Sequence, residues 1–219
     1  MVQDDPLGDI RITNGLSDRL RAGVNIYQRI EQPDTGKLNL HIEEKLRAIP
    51  GAFERELPPG FTFSRKLYRD VHIDPTRNRP SSEALWRRLK NKGDFPRVNP
   101  FVDLTNLLSL TFQICFGLYD LEKIAGDITL TLGDDSDHYG GIGKDILHMK
   151  GKIVLKDSQG AFGNPSSDSS RTRVNSRTSR IMQVLFFHKQ DPRADELTRE
   201  ASRAFHAFFH IGFSRSFLI

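Results

Sequence analysis

Asn99-Pro-Phe-Val-Asp-Leu-Thr-Asn-Leu-Leu-Ser-Leu-Thr-Phe112, running on to Gly117-Leu-Tyr-Asp120, is the stretch from which the rest of the chain can be read. Asn99 is a good N-cap, because its side-chain oxygen can accept from an unpaired amide of a helix's first turn. Pro100 suits the first helical position, where no N–H is missed. Phe101, Thr105, Leu108 and Phe112 recur at i, i+4, i+7 and i+11, which places them on one helical face. Asp103 and Asn106 lie three apart and share a different face near the helix start. An apolar helix with polar groups at its N-terminal end can floor a binding pocket. It can also be a buried helix whose Asp103 only complements the helix dipole.

Around this stretch, 219 residues suffice for one sizeable core, or a core plus an appendage. A net charge of +4 and a pI of about 9.3 make the chain mildly basic, which permits a polyanionic partner without requiring one. The single cysteine, Cys115, excludes an intrachain disulfide. It lies in the apolar run Phe112-Gln-Ile-Cys-Phe116 and reads as a small buried hydrophobe rather than a nucleophile. There is no signal-peptide pattern, and no apolar run of bilayer-spanning length. A cytoplasmic protein with no membrane partner is therefore expected.

Residues 1–14 are polar. The alternation at Val24-Asn-Ile26 within 16–30 predicts a strand. Residues 37–49 predict a helix with Leu38, Ile42, Leu46 and Ile49 on one stripe, stopped by Pro50-Gly51. Pro58-Pro-Gly60 is a turn. Residues 65–97 are the most basic part. There Pro80-Ser-Ser-Glu83 opens a helix with Leu85 and Leu89 facing inward, leaving Trp86, Arg87, Arg88, Lys90 and Lys92 for other faces. An aromatic among cations is one footprint of RNA binding; a solvated helix face has the same composition. Strands follow at 127–132, 152–156 and 181–188, with turns at His138-Tyr-Gly-Gly-Ile-Gly143 and Asp157-Ser-Gln-Gly160. The glycine-rich segment lacks the Lys-Ser/Thr ending of a phosphate loop. Residues 162–180 are dense in hydroxyls and arginines, either a ligand-holding loop or a flexible connector. Asp191-Pro192 is expected to cap a helix carrying Leu197, Ala201, Ala204, Phe205 and Phe208 on one side. His206 and His210 lie four apart there, but no glutamate accompanies them, so no metal site is expected.

Four segments, in this order and spacing, are specific as a set. They are Asp74-Pro-Thr-Arg-Asn-Arg-Pro-Ser-Ser-Glu-Ala-Leu-Trp-Arg-Arg88, Asn99-Pro-Phe-Val-Asp-Leu-Thr-Asn106, Gly117-Leu-Tyr-Asp120 and Phe162-Gly-Asn-Pro-Ser-Ser-Asp-Ser-Ser-Arg-Thr172. With them the chain resembles the free-standing B3/B4-domain proteins, relatives of the editing domain in the β subunit of phenylalanyl-tRNA synthetase. The resemblance covers about residues 60–190. It implies an α+β fold: a single B3/B4-like domain over 1–219, with a mostly antiparallel or mixed β-sheet core, packed helices, and 191–219 as a C-terminal amphipathic helix. It also implies chemistry. The synthetase domain hydrolyses tyrosine mischarged onto the phenylalanine tRNA, by a positioned water and without a protein nucleophile. A pocket built to hydrogen-bond a hydroxyl can reject the analogue lacking it by roughly 10⁴-fold or more.

The carry-over is uneven. Val102, Asp103, Thr105 and Asn106 match the Val-Asp-x-Thr-Asn pattern, and Tyr119-Asp120 answers its Phe-Asp. The family histidine falls on Gly117, and the family's Ala-Gly-x-Met-Gly-Gly loop is replaced by residues 163–172. The synthetase's catalytic domains and any ATP-binding motif are missing, so the chain is not expected to charge tRNA itself. Two readings stay open. In one, the chain is a hydrolase that deacylates mischarged aminoacyl-tRNA in trans without a cofactor. Asp168 is then the base, and Asp103, Asn106, Asp120, Asn164, Ser167, Ser169, Arg171 and Thr172 form the substrate site. Arg77, Arg79, Arg87 and Arg88 meet the tRNA phosphates. In the other, the chain is a non-catalytic module that binds RNA or an amino-acid-like ligand. DNA is not an expected partner, and the sequence leaves the oligomeric state open.

Overall fold

The computed structural model describes residues 10–31, 35–49, 57–143 and 145–219. Its elements, in chain order, begin with β1 (Ile12–Asn14), β2 (Leu20–Glu31) and α1 (Thr35–Ala48). Then come α2 (Phe61–Asp70), α3 (Ser81–Lys92), α4 (Pro100–Phe112), β3 (Cys115–Asp120) and β4 (Ile128–Leu132). The chain continues through β5 (His138–Gly140), β6 (Ile146–His148), β7 (Ile153–Asp157) and β8 (Gly160–Gly163). It closes with β9 (Arg180–His188), α5 (Ala194–Phe208) and β10 (His210–Leu218). This is an α+β fold.

The helix at the centre is α4, and it starts where the sequence places it. Asn99 is extended and its side chain accepts from the Val102 amide at 3.1 Å, with Pro100 in the first turn. The helix stops at Gln113, whose φ of 60° breaks the right-handed path. Apolar residues are buried on more than the predicted stripe. Phe101, Leu104, Leu107, Leu108 and Phe112 join α1, α5 and one face of a sheet, while Leu110 turns to Phe61, Trp86 and Leu89. Each fully buried Leu or Phe contributes roughly 1.5–3 kcal/mol relative to exposure, so α4 is held by packing rather than by propensity.

Two four-stranded sheets build the rest. The larger has the order β10-β2-β9-β3 and is antiparallel throughout. Its β9 is buried at every position after Arg180, because both of its faces are covered. Ile181, Leu185 and Phe187 face the helices; Met182, Val184 and Phe186 face the second sheet. That second sheet runs β1-β4-β7-β8, with β1 parallel to β4 and the other pairs antiparallel. It sets Ile128, Leu130, Ile153, Leu155 and Phe162 against Leu20, Ala22, Val24 and Ile26 of β2. The layers are thus helix, sheet and sheet. A short ribbon, β5 with β6, stands beside them.

Pro58-Pro59-Gly60 turns as expected, with the Phe61 amide on the Pro58 carbonyl at 3.1 Å, and leads directly into α2. Three expectations are corrected. Trp86 is not a surface aromatic: it is buried at 4% exposure and meets the Phe61 ring edge-on at 6.1 Å. His138-Tyr139-Gly140 is strand β5, not turn. The C-terminal helix ends at Phe208, and His210–Leu218 pairs antiparallel with β2 as an outer strand. The expected stop at Pro50-Gly51 lies outside the described residues.

Candidate active site

The hydroxyl-rich segment after β8 is tied down along its length. The Asn164 amide donates to the Ile153 carbonyl at 2.7 Å, and its oxygen accepts from the Ser166 amide at 2.7 Å. This is an Asx turn, the local bond that short polar side chains offer a backbone. The Ser166 hydroxyl bonds Tyr68 of α2 at 2.5 Å and donates to the Arg79 carbonyl at 3.2 Å. Tyr139 of β5 donates to the Ser167 carbonyl at 2.6 Å, and the Ser81 amide at the start of α3 donates to the Pro165 carbonyl at 3.2 Å. Residues 164–168 are therefore an ordered wall, held from four elements.

That wall closes a cavity of about 340 Å³, in the range of small-ligand sites. Its other sides are Ser81, Ala84, Leu85 and Arg88 of α3, Thr105, Asn106 and Ser109 of α4, and Phe116 of β3. A second cavity of about 270 Å³ lies across the same wall and shares Ala84, Asn164, Ser166 and Ser167; Arg79 and Lys152 also line it. The lining of the first is mixed: hydroxyls and amides among leucine and phenylalanine. The Ser81 hydroxyl oxygen is buried with no protein hydrogen-bond partner among the described residues, a donor and acceptor available to a ligand.

Asp168 is the carboxyl on the wall of the first cavity, and it is half-buried. Burial pushes its pKa up to about 7, against the opposing pull of the Tyr119 hydroxyl and the Asn164 and Leu118 amides. The Tyr119 hydroxyl donates to Asp168 Oδ1 at 2.7 Å. A carboxyl titrating near neutrality can take a proton from water and return it, which is the match a general base needs. Cys115 is not a rival nucleophile: it is buried, its sulfur 3.5 Å from the Ser82 hydroxyl, and it does not line the cavity.

The pattern around this site matches a known domain. The family model described as the B3/4 domain covers residues 64–206, well over half of the chain and all of the cavity wall. The chain belongs to the B3/4 domain family. It is 28% identical over 142 residues to the phenylalanine–tRNA ligase β subunit of Rickettsia felis and 29% identical over 142 residues to that of Rickettsia bellii. Each alignment covers 58% of this chain, but only 15% and 14% of the respective relatives. Among solved structures, an N-terminal fragment of the phenylalanyl-tRNA synthetase β subunit from Pyrococcus horikoshii aligns at a TM-score of 0.41 and 16% identity, covering 55% of this chain and 46% of that one.

Within this B3/4 domain, the residues singled out from sequence divide in two. Asn106, Asn164, Ser167 and Asp168 come together on the first cavity. The other five are occupied by scaffold bonds. Asp103 accepts from the Val98 amide at 2.7 Å and faces Arg97 at 3.7 Å; burial raises its pKa. Asp120 accepts from the Thr178 hydroxyl at 2.9 Å and caps the short turn after β3 through the Glu122 amide at 3.1 Å. Ser169 accepts from the Arg171 amide at 3.1 Å, and Thr172, fully buried, points its hydroxyl at the Phe162 carbonyl. Arg171 pairs with Asp157. Asp103 lies in the first turn of α4, Asp120 ends β3, and Ser169, Arg171 and Thr172 lie between β8 and β9, where backbone outside a ladder needs other partners.

The four arginines assigned to phosphate contacts share three acids. Arg79 and Arg87 lie 3.6 and 3.0 Å from the buried Glu83, Arg77 lies 3.8 Å from Asp74, and Arg88 pairs with Asp94. Arg88 also lines the first cavity, which a reading for surface charge did not foresee. Ser81 and Tyr119 were missed as site residues. A serine after proline reads as a helix opening, and a tyrosine inside an apolar strand reads as core. Among the described residues, no group of three or more His, Cys, Asp or Glu side chains converges as a metal site, and no helix is long and apolar enough to cross a membrane.

Proposed function

We propose that this B3/4 domain hydrolyses the ester of a mischarged aminoacyl-tRNA in trans, in the cytoplasm, with Asp168 as general base. The observation that carries the reading is the Asp168 carboxyl, its pKa raised by burial to about 7, on the wall of a cavity lined by Ser81, Asn106 and Ser167. The likeness to phenylalanine–tRNA ligase β subunits supports a tRNA-linked substrate. Asp168 takes a proton from water as the water oxygen attacks the ester carbonyl carbon. The bond from that carbon to the ribose oxygen breaks, and the ribose oxygen receives the proton back from Asp168. Free amino acid and uncharged tRNA leave, with no protein nucleophile and no cofactor consumed. Asn106 and Ser167 hold the aminoacyl group. Arg77, Arg79, Arg87 and Arg88 meet the phosphates, Arg88 nearest the ester because it lines the cavity.

The test is release of amino acid from a panel of correctly and wrongly charged tRNAs, by the full chain and by Asp168→Asn. Release of one mischarged amino acid, lost in the variant, is expected. No release from any member of the panel overturns the hydrolase. A second reading, a module that binds an amino-acid-like ligand without turnover, is favoured by the ion pairs of the four arginines, which share the three carboxylates Asp74, Glu83 and Asp94 and so have part of their charge offset. Calorimetry with free amino acids separates the two.

A further inference from the structure

Tyr119 occupies an unusual slot. Its ring lies back over its own strand, so that a Cβ at Gly117 would come within 2.0 Å of the phenol oxygen. A Cβ at Gly163, the last residue of β8, would come within 2.4 Å of the same atom. Only two glycines, one on each strand, leave the hydroxyl its place. The ring is fixed further by Phe162, edge-on at a centroid distance of 5.2 Å, and is completely buried. From there the hydroxyl reaches Asp168 Oδ1 at 2.7 Å. A buried phenol needs a hydrogen-bond acceptor, and here the acceptor is the carboxyl on the cavity wall.

We infer that Tyr119 is the positioning residue of this site: wedged between Gly117 and Gly163, its hydroxyl occupies one oxygen of Asp168 and fixes the carboxylate that draws the proton from water. The inference rests on the hydrolytic reading and adds to it the group that orients the base. The slot between the two glycines sets where the phenol oxygen stands, and so where it meets the Asp168 carboxylate. The hydrogen bond also favours the ionised carboxylate over the protonated acid. The titratable and charged groups facing Asp168 are Tyr119 from β3, Tyr139 from β5 and Arg88 from α3. Burial holds both phenols protonated far beyond neutrality, so neither changes charge in the range where Asp168 titrates.

The experiment is a carboxyl-carbon NMR titration of the intact chain, labelled at aspartate, beside a pH–rate profile on the member of the aminoacyl-tRNA panel that the chain deacylates. Tyr119→Phe keeps the ring and removes only the hydroxyl. The Asp168 midpoint is expected to rise by about one pH unit in this variant, since it loses one hydrogen bond to its charged form. The rising limb of the rate profile should move the same way. Gly163→Ala and Gly117→Ala remove no polar group but push the phenol out of its slot, and both should raise the midpoint too. An unmoved midpoint in Tyr119→Phe overturns the inference, even if hydrolysis is found. An unmoved midpoint in both folded glycine variants overturns the wedge. A shifted midpoint without any hydrolysis by the unaltered chain supports the coupling and overturns the hydrolase reading, so the two failures are told apart.

Discussion

Arg171 grips Asp157 with two parallel bonds, Nη1 to Oδ2 and Nη2 to Oδ1, each 2.9 Å long. The Asp157 side chain is fully buried, and the Arg171 guanidinium also donates to the Lys123 carbonyl at 2.9 Å and lies over the Phe162 ring. One side chain thus joins the end of β7, the turn after β3 and the strand that leads to the cavity wall. Removing the arginine strands the buried Asp157 charge in a dry place. Arg171→Ala should cost about 3 kcal/mol, read as a lowered urea midpoint.

Asp168 should set opposite pH trends for rate and stability. Its pKa of about 7 lies above the ordinary 3.8, so ionising it costs the folded state more than the unfolded one. The stability it contributes is full below about pH 4 and is lost as pH rises through 7. Compared with Asp168→Asn, the unaltered chain should lose a few degrees of melting temperature between pH 5 and pH 8. Its rate of deacylation should rise over that interval and level off above pH 7. Asp168→Asn should lower that rate by roughly 10²-fold or more.

Arg87 tests the phosphate contacts. It is half-exposed, and Glu83 keeps Arg65 at 3.4 Å and Arg79 at 3.6 Å after Arg87 is gone. Arg87→Ala should therefore change the melting temperature little. Binding of tRNA, followed by fluorescence anisotropy across a salt series, should weaken, with the logarithmic salt slope smaller by about 1.

Trp86 separates a core residue from a stacking platform. Trp86→Ala should cost about 3–5 kcal/mol in chemical denaturation, the range for truncating a buried aromatic. A residue that only stacked on bases would leave that midpoint in place and change tRNA affinity instead.

The sequence by itself determined what neighbours along the chain determine. Asn99 and Pro100 announce the start of α4 because a cap needs only the next three amides. The alternations at Val24-Asn-Ile26 and 127–132 gave β2 and β4, because a strand's period is written in its own residues. The ordered motifs gave the family. Tertiary structure decided the rest. Tyr119 and Asp168 stand 49 residues apart, and no local signal says that a core tyrosine will reach a carboxyl through two glycines. Asp120 and Arg171 look like ligand-holding groups from composition, yet their partners, Thr178 and Asp157, lie 58 and 14 positions away. Trp86 follows a basic helix inward because Phe61 and Leu110 from other helices offer it cover. The aromatic run at Phe205, Phe208 and Phe209 reads as continuing helix, but Phe209 is extended and the chain turns back along β2, whose edge was open to it. Charges and hydroxyls declare their chemistry in the sequence; which of them meet a ligand and which meet the backbone is settled only when distant strands and helices compete for them.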